Sequence, residues 1–193
     1  MKTKKGFTLL ELLIVIGILA ILSTTVVLVI NPAELLKKAR DSQRISDLST
    51  LKTAIAYYIT ETGSPSIGTA AKSYSDIAGN ACFGTASTVT STAATVSGWI
   101  PIAFDGMTGG SPIGSLPRDP NQSAVTGDYY YSYGANTDFT FKLIANMEST
   151  YYAAAGTTGV EDIDGGTETT LYEVGTDLTR TIIAAGPTCY PNR

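Results

Sequence analysis

The chain has 193 residues, 44% of them hydrophobic and 16% charged, with a formal net charge of −4 and no histidine. This length suits one domain, or one domain with an extended element. Without histidine there is no Ser–His or Cys–His nucleophile pair and no histidine metal site, so an enzyme is the weakest hypothesis. Residues 61–193 carry 5 Lys and Arg against 13 Asp and Glu, which argues against a broad basic face for nucleic acid.

The first predicted element is a membrane-spanning helix. No charged residue occurs from Leu12 to Ile30. As a helix this run extends over roughly 28 Å, close to the ~30 Å of a bilayer core. Lys2, Lys4 and Lys5 precede it, and the positive-inside bias keeps them in the cytoplasm. We therefore expect a single-pass inner-membrane protein whose chain beyond Ile30 is exported.

Glu11 lies at the edge of this apolar run, where a carboxylate costs several kcal/mol unless it is paired or protonated. Lys5, the nearest preceding cation, is six residues back and at the wrong helical angle. A free α-amino group on Phe7 would lie one turn away, but it exists only if the chain is cut after Gly6. Two interpretations stay open: an interfacial Glu11 without a role, and a Glu11 whose partner is made by proteolysis.

The second predicted element is an amphipathic helix that begins near Asn31-Pro32-Ala33-Glu34. This tetrapeptide is typical both of a proline kink and of a helix start, with Asn31 as N-cap and Pro32 in the first helical position. Apolar residues then recur at spacings of mostly three and four until Gly63. We predict one nearly continuous helical rod from Phe7 to Glu61. Its basic residues form a solvated face or lie near anionic lipid head groups.

A stretch rich in Ser, Thr, Ala and Gly follows over residues 64–98. It is predicted to be a connecting region with a short helix near Tyr74–Ile77. The next segment, Trp99–Phe104, is short, apolar and β-prone, although Pro101 favours an edge or bulge position.

The clearest strand signal is a hairpin around the turn Gly134–Asp138. A third strand includes Leu171–Val174. Three or more strands with an apolar face can pack on an amphipathic helix, so we predict an α+β fold with a small antiparallel sheet. The tyrosines near position 130 serve this packing or, as an alternative, form an exposed adhesive patch. Aromatic or large apolar residues occupy every second position on both sides of the turn: Tyr129, Tyr131, Tyr133, Phe139, Phe141 and Leu143.

The two cysteines, Cys82 and Cys189, both lie in the part predicted to be exported. In an oxidising compartment they can form a disulfide that ties the C-terminal tail to an early loop, and two free thiols are the alternative.

The segment KKGFTLLELLIVIGILAIL resembles the prepilin signal of type IV pilins and of type II secretion pseudopilins. The matching features are Lys4-Lys5 before Gly6, Phe7 as the new N-terminus, and Glu11 as the fifth residue of the mature chain. These features rarely coincide, so the motif is specific. The resemblance covers residues 1–60 strongly, and LPRDP…YYYSY…FTFKLIANME is similar to the sheet region of pseudopilins and related pilins.

We therefore divide the chain into five parts. Residues 1–6 are a leader peptide, residues 7–31 the transmembrane and filament-core half of the helix, and residues 32–62 its amphipathic half. Residues 63–98 are a connecting loop, and residues 99–193 an antiparallel sheet head with the C-terminal region. The resemblance implies a type IV pilin-like fold for this arrangement.

The resemblance also implies a function in assembly. A prepilin peptidase would cut between Gly6 and Phe7, and the new amine of Phe7 would be methylated. A cytoplasmic ATPase and an inner-membrane platform protein would then lift the subunit into a homo-oligomeric filament, a surface pilus or a periplasmic pseudopilus. Glu11 would pair with the Phe7 amine of a neighbouring subunit, and the region of Asn31 and Pro32 would unwind when the filament stretches.

A calcium site is a weaker expectation. Glu161-Asp162-Ile163-Asp164-Gly165 has part of the pattern of a calcium loop, and some pseudopilins hold calcium in a comparable C-terminal loop. The full pattern is missing, so a solvated acidic turn is the favoured interpretation of Asp162 and Asp164. No other cofactor is expected.

Three alternatives to a major filament subunit remain. The first is a minor pilin at the filament tip that binds DNA or a surface. The second is a membrane-anchored binding or enzymatic domain that does not polymerise. The third is ordinary secretory cleavage or a plain signal anchor, but the apolar run is long, lacks a clear small-residue cleavage site and would not need Glu11.

Overall fold

The computed structural model describes residues 6–70, 72–79, 82–122, 129–153, 159–181 and 189–190, apart from the side chains of residues 28 and 29. The chain divides into two compact units, Met1–Lys37 and Lys38–Arg193.

The first helix, α1, covers Leu9–Ile30. It begins at a capping box, in which the Thr8 side chain accepts the Glu11 amide and the Glu11 carboxylate accepts the Thr8 amide. It is long and apolar enough to cross a membrane, and none of the side chains from Leu9 to Val27 is buried. Such a helix requires lipid or other apolar helices around it, because none of the described residues of its own unit covers it.

The second helix, α2, covers Pro32–Glu61, so the nearly continuous helical rod predicted from Phe7 to Glu61 begins at Leu9 and is interrupted at Asn31. Asn31 has φ 44° and lies in the left-handed region, which asparagine tolerates better than most residues. Its carbonyl accepts the amides of Glu34 and Leu35, which starts the new helix, and Pro32 stands at the first helical position. One helix therefore ends and another begins, the second of the two possibilities that the sequence left open.

The part of α2 within the second unit buries one face. Leu48, Leu51 and Ile55 are fully buried there, together with Ala54 and Tyr58. They share a core with the aromatic side chains of the sheet, as the amphipathic pattern predicted. Burying each large apolar side chain stabilises the fold by about 1.5–3 kcal/mol.

The described residues form five strands: β1 (Lys72–Ser75), β2 (Thr85–Ala86), β3 (Tyr131–Ala135), β4 (Phe141–Ala145) and β5 (Tyr172–Gly175), with a short helix α3 (Val160–Ile163) before β5. The strands form one sheet in the order β2-β1-β3-β4-β5. The β2 strand pairs with β1 in parallel, and all the other pairs are antiparallel. This confirms the predicted α+β, pilin-like layout with a mostly antiparallel sheet.

The predicted hairpin is confirmed as β3 and β4, paired from Tyr131 with Ala145 to Ala135 with Phe141. The third predicted strand is confirmed as β5, one residue further along. Phe139 does not lie on a strand. It occupies the turn with φ 64° and is 44% exposed. This turn position requires a left-handed backbone conformation, so the strand and its alternation of apolar residues begin only at Phe141.

Two other predictions are wrong. Trp99–Phe104 is not a strand, because two of its amides donate within the segment: Ile102 to the Ile100 carbonyl and Phe104 to the Ile102 carbonyl. The segment still fills the core, and Trp99 is fully buried. The predicted helix near Tyr74–Ile77 is the strand β1 over part of its length. The connecting region thus supplies two of the five strands. The sequence does not reveal β1, because Tyr74 pairs with Tyr133, which lies far along the chain.

Cys82 and Cys189 form a disulfide across a sequence separation of 107 residues. Both cysteines belong to a second core cluster on the far side of the sheet, which also contains Tyr130 and Tyr190. These two tyrosine rings stack with their centroids 4.1 Å apart. The Tyr190 amide donates to the Tyr130 hydroxyl at 2.9 Å. The described end of the chain is therefore held by a covalent bond and by aromatic packing.

Candidate functional site: the N-terminal segment

The first candidate site consists of Gly6, Phe7, Thr8 and Glu11. Gly6 and Phe7 precede the helix and are exposed, Phe7 by 87%. A Cβ at Gly6 would meet nothing within 4 Å. Within the described residues of this unit, nothing covers the peptide bond between Gly6 and Phe7. A protease needs an accessible, non-helical segment, and this one has both properties.

Glu11 is held by Thr8 at the start of α1. Its Oε2 atom accepts the Thr8 amide at 2.9 Å and the Thr8 hydroxyl at 2.9 Å. The Glu11 amide donates to the Thr8 hydroxyl oxygen at 3.2 Å. The carboxylate therefore satisfies free amides at the positive end of the helix. It also lies one turn from Phe7, where a cut after Gly6 would create an amine.

The polar residues in the second half of α1 do not interrupt its apolar surface. The hydroxyls of Ser23, Thr24 and Thr25 donate to the carbonyls four residues earlier, at 2.7, 3.0 and 3.1 Å. Each hydroxyl is satisfied inside its own helix, as an apolar environment requires. Glu11 is thus the single ionisable side chain between Leu9 and Ile30.

A second cluster, centred on Arg44, was missed by the sequence analysis. The basic stretch of α2 was predicted to be a solvated face or to lie near lipid, but Arg44 and Asp41 are fully buried. Arg44 Nε and Nη2 donate to both oxygens of Asp119 at 2.6 and 2.7 Å. The same guanidinium donates to Asp41 at 2.6 Å and to Glu148 at 2.6 Å. A spacing pattern on one helix cannot reveal acceptors that lie 75 and 104 residues away.

This charge cluster joins α2 to two loops. Arg40 donates to Glu148 through Nε and Nη2 at 2.9 and 2.6 Å, and Asp41 accepts the amides of Glu148 and Ser149. Burial alone would raise the pKa of Glu148, but the hydrogen bonds from Arg40 and Arg44 outweigh it and lower that pKa. Removing one member of such a cluster costs about 3–5 kcal/mol, because the remaining charges stay buried without a partner.

Asp76 is a further buried carboxylate beside this cluster. It accepts the amide of Asp119 at 2.9 Å and the amide of Tyr131 at 2.9 Å. It therefore links the loop that holds Arg44 to the first residue of β3. Burial raises the pKa of Asp76 to about 7, against the lowering effect of these two hydrogen bonds.

In the acidic turn after α3, both carboxylate oxygens of Asp164 accept hydrogen bonds from the chain itself. Asp164 Oδ1 accepts the Gly166 amide at 2.7 Å, and Oδ2 accepts the Glu173 amide at 2.6 Å. Asp162 lies in α3, just before this turn. The described residues contain no group of three or more Cys, Asp or Glu side chains that could hold a metal ion. Calcium at Asp162 and Asp164 therefore stays a prediction.

Most of the tyrosines near position 130 pack inside the protein. Tyr130, Tyr131 and Tyr133 are fully buried, so they form no exposed adhesive patch. Tyr129 is half-buried and its ring lies 5.0 Å from the Arg44 guanidinium. The Tyr131 hydroxyl reaches Asp47 at 2.8 Å and the Tyr133 hydroxyl reaches the Ile67 carbonyl at 2.7 Å. Each buried ring thus packs in the core and has a partner for its hydroxyl.

An exposed apolar helix capped by Thr8 and Glu11 and an α+β unit with a mostly antiparallel sheet have a pilin-like layout. Comparison with known families agrees: residues 1–27 match the prokaryotic N-terminal methylation motif. This motif is the signal of type IV pilins and pseudopilins, and proteins that carry it are structural rather than enzymatic. No curated protein and no solved structure matches the chain.

Proposed function

We propose that this chain is a structural subunit of a type IV pilus or a type II secretion pseudopilus. The observation that carries the proposal is α1, whose apolar side chains are all exposed from Leu9 to Val27 behind a prepilin-type signal. A lipid bilayer covers such a helix before assembly, and the same helix of other copies covers it afterwards. The α+β unit is carried on the exported side and becomes the outer part of the filament.

Processing starts the sequence of events. A prepilin peptidase cuts between Gly6 and Phe7, and the Phe7 amine is methylated. The platform protein and the assembly ATPase then lift the subunit out of the membrane. The exposed, non-helical segment before Leu9 supports the cleavage, because a peptidase binds its substrate in an extended form.

Glu11 is the residue that we propose for subunit recognition. In the single chain its carboxylate is held by the Thr8 amide and hydroxyl. On assembly it pairs with the Phe7 amine of a neighbouring subunit, which removes the cost of carrying an unpaired carboxylate into the apolar filament core. The pair also sets the axial register of the helical array. Asn31 is the point at which we propose that the helical segment unwinds when the filament is stretched.

N-terminal mass spectrometry of the native protein tests the processing step. We expect a chain that begins at Phe7 and carries a methyl group. In the variant Gly6→Leu we expect the uncut precursor to accumulate in the membrane. Gly17→Leu is the matched control, because a Cβ at Gly17 also meets nothing within 4 Å. A mature chain of normal length in Gly6→Leu would contradict cleavage by a prepilin peptidase.

A pair of Glu11 variants tests the recognition step. Glu11→Gln keeps an oxygen that can accept the Thr8 amide but removes the charge, whereas Glu11→Ala removes both. If the charge pairs with a neighbouring amine, both variants are cleaved and both fail to enter filaments. Normal filament yield in Glu11→Gln would show that helix capping, and not charge pairing, is the role of this residue. High abundance of the wild-type chain in sheared filaments separates a major subunit from a tip subunit.

A further inference from the structure

Lys142 lies in the middle of β4 and is completely buried. Its Nζ atom is 2.9 Å from Oε2 of Glu173, which is equally buried on the adjacent strand β5. Lys142 pairs with Gly175 and Ile144 pairs with Glu173, so the two side chains are diagonal neighbours on the sheet face opposite α2. Two ionised side chains in a site without solvent carry a large desolvation cost.

Besides Glu173, the Nζ atom contacts two other hydrogen-bond acceptors. These are the Thr167 hydroxyl at 3.2 Å and the Arg180 carbonyl at 2.9 Å. Glu173, Thr167 and Arg180 thus supply one acceptor for each donor of the ammonium group. Once a proton has passed to the carboxylate, the Thr167 and Arg180 oxygens can hold the two remaining N–H donors, and the lone pair is left on the side of Glu173.

The two oxygens of the Glu173 carboxyl differ in their contacts. Oε2 accepts the Thr167 amide at 2.6 Å. Oε1 has no hydrogen-bond partner among the described residues. A Cβ at Gly166 would lie 1.7 Å from Oε2 and 2.4 Å from Cδ, so no residue larger than glycine fits beside the carboxyl. Burial raises the pKa of Glu173, against the lowering effect of Lys142 and Thr167, and this favours the protonated acid.

We propose that Lys142 and Glu173 form an intramolecular amide bond that joins β4 to β5. A proton first passes from the ammonium group to the carboxylate, giving the amine and the acid. Nζ then forms a bond with Cδ, while the Thr167 amide stabilises the negative charge that develops on Oε2. The bond between Cδ and Oε1 breaks, and Oε1 leaves as water with the acid proton and one amine proton. Oε2 becomes the amide oxygen, and the remaining N–H keeps one of its two acceptors.

This arrangement supplies what the condensation requires. The sheet holds the two groups in contact, which removes the entropy cost of bringing them together. Both reactants are side chains of the same molecule, the condensation is redox-neutral, and the proton that passes from Lys142 to the carboxylate lets Oε1 leave as water. The bond would tie β5 to the central hairpin independently of the disulfide, which lies at the other end of the sheet order through Cys82.

The mass of the intact full-length chain tests the proposal. After N-terminal processing and the disulfide are accounted for, we expect the wild-type protein to be one water lighter than its sequence. A proteolytic digest should contain a branched peptide that joins Lys142 to Glu173. Lys142→Arg is the matched control: it keeps the positive charge, and we expect it to have the full mass. Its near-ultraviolet circular dichroism shows whether it is folded.

A wild-type chain of full mass, with the two segments recovered as separate linear peptides, overturns the proposal and leaves an ordinary buried ion pair. The wild-type measurement decides the question even if Lys142→Arg does not fold. The N-terminal peptide in the same digest reports on cleavage after Gly6. Failure of the amide bond is thereby distinguished from failure of the proposed filament function.

Discussion

The two long helices of this protein differ in what surrounds them. The α1 helix is apolar on every side, yet its side chains from Leu9 to Val27 are all exposed. The α2 helix is far more polar, yet it buries a full face that includes a charged pair, Asp41 and Arg44. Hydrophobicity therefore does not decide burial within one chain. Burial depends on whether the chain itself supplies a partner surface, and α1 has to find its partner elsewhere.

Among the differences between the two helices, the largest change in stability is expected when Arg44 of α2 is replaced. In the variant Arg44→Met, Asp41 and Asp119 stay buried without their cation and Glu148 keeps only Arg40, so the unfolding free energy of the second unit should fall by about 3–5 kcal/mol. Urea denaturation of the full chain in detergent micelles measures it. Lys52→Met, an exposed position on the same helix, is the control and should change stability little. An Arg44 variant as stable as the control would mean that the cluster contributes nothing.

A matched leucine pair compares the two helices directly. Leu51 is fully buried and Leu13 is 60% exposed. Leu51→Ala should lower the unfolding free energy by about 2–5 kcal/mol through the cavity that it leaves. In the same assay Leu13→Ala should leave the stability of the α+β unit unchanged, and its effect should appear in filament yield instead. The comparison fails if Leu13→Ala destabilises the α+β unit in the isolated subunit.

Low pH should change the stability of the α+β unit, to which most of α2 belongs, but not that of α1. The pKa of Glu148 is lowered in the folded state, so its stabilisation is present above its unfolded pKa and is lost as pH falls through the folded value. Asp76 acts in the opposite direction: its folded pKa of about 7 lies above the unfolded value, so its contribution increases as pH falls from about 7 toward 4. We expect maximal stability of the α+β unit at mildly acidic pH, followed by a steep loss.

Circular dichroism of the full chain in micelles checks this pH profile. The near-ultraviolet signal of the buried tyrosines should disappear at low pH, while the far-ultraviolet signal of α1 should persist, because Glu11 is its only ionisable side chain. Loss of both signals together would mean that α1 depends on the α+β unit.

The smallest expected effect concerns the turn between β3 and β4. Phe139 has φ 64°, a conformation that costs a non-glycine residue about 1–2 kcal/mol. Phe139→Gly should therefore raise the unfolding free energy slightly, by about 1 kcal/mol after the greater flexibility of glycine in the unfolded chain is subtracted. Phe139→Ala is the control, since it removes the ring and keeps the strain. Equal stability of both variants would mean that the backbone conformation carries no cost.

Much of the candidate site was predictable because it is local. Gly6, Phe7 and Glu11 lie within one and a half helical turns, and the apolar run of α1 follows directly. Thr8 was missed, although a Thr followed three residues later by Glu is a readable capping-box signal. The cluster around Arg44 could not be predicted, because its carboxylates come from three separate segments of the chain.

The sequence by itself determined the elements whose signal is short in range: the apolar helix, the amphipathic helix, the β3–β4 hairpin and the signal before Phe7. The tertiary structure alone decided that one helix ends and another begins at Asn31, that residues 72–75 form a strand, that Trp99–Phe104 fills the core without one, and that Arg44 is buried. The physical reason is that periodicity records the average environment of a segment. A strand partner or a salt-bridge acceptor a hundred residues away exists only once the chain has folded.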